Sequence, residues 1–323
     1  MDTYEKSIYK FKALKEKFIQ HKVLETDLPF LFENKNNEIG ILLIHGSEST
    51  PCNTHDLGKI LYAKGYNTLG VLLAGHGHNT ERLHQGLISW KECYKSAIES
   101  LEILLALNKK VYVLGSSFGG CLAYLLGLEF YKNISGVIAV SAPSFTKYDP
   151  PSNFNWMKQV SASIKAVEHH IHNLEIPTLI LHSSDDKTVK LNQALFAYEK
   201  IKTEQKKLII YNSVGHSLGF SSNTEEVAKD IDNFIKEYNE LIPIQFSLDA
   251  NVHSVSVAGE FNNWASNENE MMFIDGKWSI DLLLPKKRQY QYKFVINGNN
   301  WILDPYAEKI ATPLGNYNSL VRT

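Results

Sequence analysis

The stretch Val111-Tyr112-Val113-Leu114-Gly115-Ser116-Ser117-Phe118-Gly119-Gly120-Cys121 decides the fold. It opens as a short apolar run of strand type, turns through G-x-S-x-G, and continues into the amphipathic segment Cys121–Phe130. The turn from strand to helix is sharp, so glycine at 115 and 119 keeps side chains out of crowded positions and Ser117 stands at the bend. Ser116 points elsewhere. A bare G-x-S-x-G match has moderate specificity; one set between a predicted strand and a predicted helix is far stronger.

Working outward, other apolar runs of strand length lie at Ile39–Ile44, Thr68–Leu73, Gly136–Val140, Thr178–Leu181 and Leu208–Tyr211, each rich in Ile, Leu or Val. Amphipathic segments such as Trp90–Leu107 separate them. Strands alternating with helices predict a mostly parallel sheet joined by crossovers, an open α/β architecture. Ser141–Glu175 breaks the rhythm with Pro143, Pro150, Pro151, His169, His170 and His172, and its length suits a small lid. Those histidines have no Cys or Asp partners, and a solvated helix face is the reading preferred over a metal site. Near the start, Ile8, Phe11, Leu14, Lys15 and Phe18 carry a helical period, which predicts a helix docked on the core.

A serine hydroxyl needs a base, a carboxylate to orient that base, and donors for the developing oxyanion. The sequence offers them in the order Ser, Asp, His. Ser117 is the candidate nucleophile. Asp186, in the loop after Thr178–Leu181, is the candidate acid, preferred to Asp185 for the valine three residues later. His216, in Ser213-Val214-Gly215-His216-Ser217, is the candidate base. The backbone N–H groups of Phe118 and Ser47 are the candidate oxyanion donors. His45 reads as structural. His76 and His78 lack further ligands at metal-binding spacing, so no metal is expected.

The chain of 323 residues is 44% hydrophobic and 21% charged, with a formal net charge of -2, so bulk charge gives no reason to expect a nucleic-acid partner. Cys52, Cys93 and Cys121 do not make a disulfide framework and fit a reducing compartment. Cys121 reads as core filler. The Lys-rich start lacks an apolar signal core, and no apolar run approaches the roughly 18 residues that span a bilayer. A cytoplasmic location is expected.

A predicted helix, Thr224–Glu240, closes the first domain, and Pro243 marks the expected boundary between residues 1–242 and 243–323. Beyond it Val252–Ala258, Trp278–Leu284 and Tyr290–Ile296 alternate with period two, and Asn297-Gly298 is a hairpin signal, which together predict a small all-β sandwich. Sugars present apolar ring faces edged by hydroxyls, and flat aromatics with amides or Lys grip them. Trp264, Trp301, Lys293 and Asn318 supply those types here, whereas Trp278 sits within a strand and reads as core.

Residues 39–240 resemble the α/β-hydrolase fold, in the bacterial carboxylesterase and monoacylglycerol-lipase-like group, through Leu42-Leu43-Ile44-His45-Gly46, Ala74-Gly75-His76-Gly77, Trp90, the Ser117 turn, Asp186 and Gly215-His216. That resemblance implies hydrolysis of carboxylic esters without metal or organic cofactor. Where the family often carries an aromatic and a glycine after His-Gly, this chain has Ser47-Glu48-Ser49-Thr50, a polar entrance that argues against a greasy long-chain substrate.

Residues 244–323 resemble the family 48 carbohydrate-binding modules, which include the glycogen-binding domain of the AMP-activated kinase β subunit. The match runs through Val257-Ala258-Gly259-Glu260-Phe261-Asn262-Asn263-Trp264, Tyr290-Gln291-Tyr292-Lys293-Phe294, Trp301, Asp304-Pro305 and Leu314-Gly315-Asn316-Tyr317-Asn318. It implies sugar contact at Trp264, Lys293, Trp301, Leu314 and Asn318, with an immunoglobulin-like sandwich. The expected whole is a serine esterase held on α-glucan such as glycogen or starch and acting on a small acyl ester. The rivals are a glucan-binding scaffold with a non-catalytic hydrolase domain and a thioesterase or peptidase on the same fold.

Overall fold

A computed structural model describes residues 2–77, 80–146, 155–221, 223–286, 288–313 and 315–323. The chain divides into two compact units, Met1–Asn233 and Phe234–Thr323.

The first unit is built on a seven-stranded sheet. Its strands are β1 (Phe30–Phe32), β2 (Ile39–Ile44), β3 (Asn67–Val71), β4 (Lys110–Ser116), β5 (Gly136–Val140), β6 (Thr178–Ser183) and β7 (Lys206–Tyr211), in the spatial order β1-β3-β2-β4-β5-β6-β7. From β3 to β7 all neighbours are parallel, and β1 pairs antiparallel with β3. Parallel neighbours require crossovers. These are the helices α2 (Pro51–Ala63), α3 (Glu81–His84), α4 (Trp90–Leu107), α5 (Phe118–Glu129), α6 (Asn155–His170) and α7 (Leu191–Lys200), while α1 (Thr3–Gln20) precedes the sheet and α8 (Thr224–Asn239) follows it.

The central strands are covered on both faces, which is why they read as continuous apolar runs. Leu42, Ile44 and Val113 pack with Ala97, Leu101 and Leu104 of α4 and with Phe118 and Leu122 of α5. Leu43 faces the other way: a side chain added at Gly58 of α2 would lie 3.1 Å from it. Each such side chain, fully buried, contributes about 1.5–3 kcal/mol. Helix α1 starts with a reciprocal cap between Asp2 and Glu5, buries Phe11 and lies against α4. In the lid stretch, residues 147–154, with Pro150 and Pro151, lie outside the described residues. Helix α6 follows, burying Trp156, Val160 and Val167, while His169, His170 and His172 are exposed as a solvated face.

The second unit is all β after the end of α8. One sheet holds β8 (Leu241–Leu248), β10 (Met272–Ile274) and β11 (Lys277–Pro285), in the order β10-β11-β8. The other centres on β12 (Gln289–Ile296), which pairs antiparallel with β9 (Val255–Gly259), β13 (Asn300–Ile302) and β15 (Tyr317–Arg322); β14 (Glu308–Ala311) pairs with β15. Tyr290, Tyr292, Phe294 and Ile296 alternate along β12 into a core with Phe246, Leu248, Val255 and Val257. Trp278 packs against that core and donates Nε1–H to the Ala250 carbonyl at 3.1 Å. Asn297 and Gly298 turn the β12–β13 hairpin with φ of +51° and +77°.

The compact units separate within α8, and Pro243 lies inside β8 opposite Leu283 of β11. Strand β8 is an edge of its sheet, where the N–H that proline lacks is not required. Among the described residues no helix is long and apolar enough to cross a membrane.

Candidate active site

Strand β4 delivers Ser117 to the turn before α5. Ser117 has φ +51° and ψ -120°, a region costly for a residue with a side chain. Its N–H donates to the Val140 carbonyl at 2.9 Å, and its carbonyl accepts from Gly120 N–H at 2.9 Å, which hold the bend. The crowding expected at the flanking glycines is present. A Cβ at Gly115 would lie 2.0 Å from the Gly119 carbonyl oxygen, and one at Gly119 2.3 Å from that of Ile44. Ser116 is buried.

His216 sits in a single helical turn, Gly215–Ser217, beyond β7. Its Nε2 is 3.1 Å from Ser117 Oγ and its Nδ1 is 2.7 Å from Asp186 Oδ2. The carboxylate accepts at Nδ1, so the proton sits there and Nε2 is left to accept from the serine. Asp186 is buried, and its Oδ1 accepts from Thr188 N–H and Val189 N–H, each at 2.9 Å. The valine three residues on is thus one of the donors that fix the acid.

Asp185 has a different task that sequence reasoning did not find. Its Oδ1 accepts from Ser183 Oγ at 2.6 Å, Gly215 N–H at 2.9 Å and Val214 N–H at 3.1 Å. The Ser183 hydroxyl first, then the Gly215 amide, hold its carboxyl below the usual range. Asp185 therefore ties the β6 loop to the loop that carries His216, where Ser213 and Gly215 both have positive φ. His182, fully buried, donates Nε2–H to the Val189 carbonyl at 2.8 Å and lies 3.8 Å from Asp186 Oδ2; burial keeps its pKa low.

The two candidate oxyanion residues flank Ser117. Phe118 is the first residue of α5, so its N–H has no partner within the helix. Ser47 follows β2, and the neighbouring Gly46 approaches so closely that a Cβ there would lie 3.3 Å from Ser117 Cβ. Trp156 of α6 donates Nε1–H to Ser47 Oγ at 2.6 Å and presents ring edges to Phe118 and His76. His45 Nε2 accepts from Leu73 N–H at 3.2 Å while its Nδ1–H donates to the Gly46 carbonyl at 2.8 Å; burial pushes its pKa down to about 3. His76 donates Nδ1–H to the Ala74 carbonyl at 3.0 Å, and burial pushes it down to about 4. Both are neutral supports. His78 lies outside the described residues. A cavity of about 310 Å³ opens onto Ser117 and His216, with Ser47, Glu48, Asn53 and Phe220 on its wall.

In the second unit, the register puts Gln291, Lys293 and Val295 on the face of β12 opposite its core tyrosines, with Val295 paired to Trp301 of β13. Trp264 and Trp301 rings lie 6.3 Å apart, tilted by 42°. Asn318 Nδ2–H donates to Gln291 Oε1 at 2.8 Å. Trp301 is 40% exposed, and Trp264, Lys293 and Asn318 are half-buried. Leu314 lies outside the described residues.

Comparison with known proteins places this geometry. Residues 36–164 and 147–223 match the family model described as serine aminopeptidase, S33. The chain belongs to the serine aminopeptidase S33 family. It is similar to a carboxylesterase of Bacillus subtilis (strain 168), 22% identical over 246 residues that cover 66% of this chain and 97% of the relative. It is similar also to a thermostable monoacylglycerol lipase of Bacillus sp. (strain H-257), 29% identical over 123 residues, 38% of this chain and 47% of the lipase. A solved structure described under the metagenome-derived lipolytic enzymes LipS and LipT superposes with a TM-score of 0.60 at 17% identity, over 67% of this chain and 99% of that one, and shares the α/β-hydrolase fold. This S33 member is thus similar to hydrolases of carboxylic esters. Its residues 242–323 match a second model, described as the glycogen recognition site of AMP-activated protein kinase.

Proposed function

We propose that residues 1–242 are a serine esterase working through Ser117, His216 and Asp186, and that residues 243–323 hold it on α-glucan. The hydrogen-bond chain from Ser117 Oγ through His216 to Asp186 Oδ2 carries the reading. Ser117 Oγ attacks the ester carbonyl as His216 Nε2 takes its proton. Asp186 holds the imidazole and stabilises its charged form. The N–H groups of Phe118 and Ser47 receive the oxyanion. Collapse expels the alcohol, protonated by His216, and leaves an acyl-enzyme on Ser117. Water, activated by His216, then releases the acid. The exposed Trp301 and half-buried Trp264, with Lys293 and Asn318, support stacking and hydrogen bonding to a glucan. Leu314 joins them by family resemblance. Tethering raises the local concentration of esters on or beside the polymer.

The test is hydrolysis of a 4-nitrophenyl ester series, from acetate to long acyl chains, by wild type and Ser117→Ala, together with co-sedimentation on glycogen. Serine-dependent turnover and glycogen retention are the expected results. Turnover that survives in Ser117→Ala overturns the triad, and retention lost without any turnover favours neither half.

A further inference from the structure

We infer that the ester cleaved at Ser117 has a polyhydroxylated alcohol, one with neighbouring hydroxyls, and that Glu48 reads them; this rests on the esterase reading above. The cavity at Ser117 is walled mainly by hydroxyl, amide and carboxylate groups. Among the described residues lining it, Phe220 alone brings a large apolar side chain. An apolar alcohol would strip water from these groups without replacing its hydrogen bonds, a loss of about 1–3 kcal/mol for each group left unpaired.

Glu48 is the informative member. It stands directly after the candidate oxyanion residue Ser47, with φ +53°, in the left-handed region that a glutamate adopts only at a cost. Its Oε1 lies 3.0 Å from His84 Nε2, which steadies the carboxylate from α3. The Glu48 carboxylate, 58% exposed, stands on the wall of the cavity that holds Ser117, and a negative charge there opposes the charge that develops on the oxyanion. It also repels an anionic substrate. Its placement is explained if it binds the neutral part of the substrate. A carboxylate accepts and never donates, so its natural ligand is a pair of adjacent hydroxyls, one to each oxygen or both to one.

Ser47 adds the complementary donor. Trp156 Nε1–H can only donate, so in the 2.6 Å contact the Ser47 hydroxyl is the acceptor. The Ser47 proton is left to point to another acceptor, and a substrate hydroxyl is one. Asn53, on the same wall, offers both a donor and an acceptor. This alternation of acceptor, donor and amide fits a diol and does not fit a hydrocarbon.

The test holds the acyl group constant. The full-length protein is assayed on cyclohexyl acetate, methyl 6-O-acetyl-α-glucoside and glycerol 1-acetate. The expected result is a kcat/KM about tenfold to a hundredfold higher on at least one hydroxylated ester than on cyclohexyl acetate, the scale of one or two hydrogen bonds to a charged group. The glucoside and glycerol arms tell a sugar alcohol from a glyceride. Glu48→Gln is expected to shrink the ratio about fivefold or more, with Glu48→Asp restoring part of it. Thermal melting checks that each variant is folded. If wild type turns over all three within about threefold, or none of the hydroxylated esters, the inference is overturned. A ratio unmoved in folded Glu48→Gln removes Glu48 from it. Turnover persisting in Ser117→Ala would instead bring down the esterase reading itself.

Discussion

The two units hold their candidate sites by opposite means. At Ser117 the backbone is bent into a costly conformation, the acid is buried, and every group that orients His216 is itself hydrogen-bonded. On the sheet around β12 the candidate sugar contacts are partly exposed, and their order comes from strand alternation, with core on one face and Lys293 of β12, Trp301 of β13 and Asn318 of β15 on the other. Moving protons demands atoms fixed to tenths of an ångström, whereas stacking a sugar demands a flat, accessible surface. A pinned site should fail steeply when one atom is removed; a surface should fail by increments.

The steepest failure is expected at the candidate nucleophile. Ser117→Ala should lower kcat by about 10⁴-fold or more, with His216→Ala similar, since triad members act as a unit. Steady-state rates on a soluble ester decide it, and a fall under about tenfold would dissolve the contrast between the units. Next comes the scaffold of the turn. Gly119→Ala sets a methyl 2.3 Å from the Ile44 carbonyl, so at least about 3 kcal/mol of stability should go, read as a fall in the urea midpoint.

The acidic pair sharpens the same point. Asp186→Asn should cost about 10²–10⁴ in kcat, because the imidazole loses its orienting charge. Asp185→Ala should cost about tenfold, chiefly in kcat, because it loosens the loop around Gly215 without touching the imidazole. Equal losses in the two variants would mean that Asp185 does more than position a loop. On the second unit, Trp301→Ala and Trp264→Ala should each weaken glycogen binding by only about threefold to tenfold, the increment of one aromatic contact. Quantitative co-sedimentation checks this, and a single substitution that abolished retention would show that this surface is pinned too.

Much of this was legible in the sequence because it rests on strong local signals. Buried parallel strands must be apolar on both faces, so β2, β4, β5 and β6 stood out, and the turn after β4 exposed Ser117. Strand β1 did not, because its three residues, Phe30–Phe32, are too few to show a period. Pro243 reads as a boundary marker, and that it lies inside a strand shows only in the sheet, where β8 is an edge. The spacing to Val189 favours Asp186 over Asp185 as the candidate acid, but the hydrogen bonds of Asp185 leave no such trace, since its partners Val214 and Gly215 lie some thirty residues on. The Trp156–Ser47 contact spans 109 residues and leaves no local trace. Long-range side-chain bonds are set by the fold, and only the fold reveals them.

A last effect separates the units by pH. His45, His76 and His182 are buried in the first unit, and burial holds all three below their usual pKa, His45 at about 3 and His76 at about 4. The unfolded chain takes up protons near pH 6.5 that the folded unit refuses, so the unfolded state binds more protons as pH falls. Stability therefore declines below about pH 6.5, by up to roughly 1.4 kcal/mol per pH unit for each such histidine. The second unit has one histidine, His253, and it is exposed. Between pH 6.5 and 5, hydrogen exchange corrected for its intrinsic pH dependence should lose protection in β4 and β5 while β12 holds. His45→Gln, whose amide can still accept from Leu73 and donate to Gly46, should flatten part of that slope. Loss of protection in β12 to the same degree would mean that the two units unfold as one, and the division drawn from their sites would then not extend to their stability.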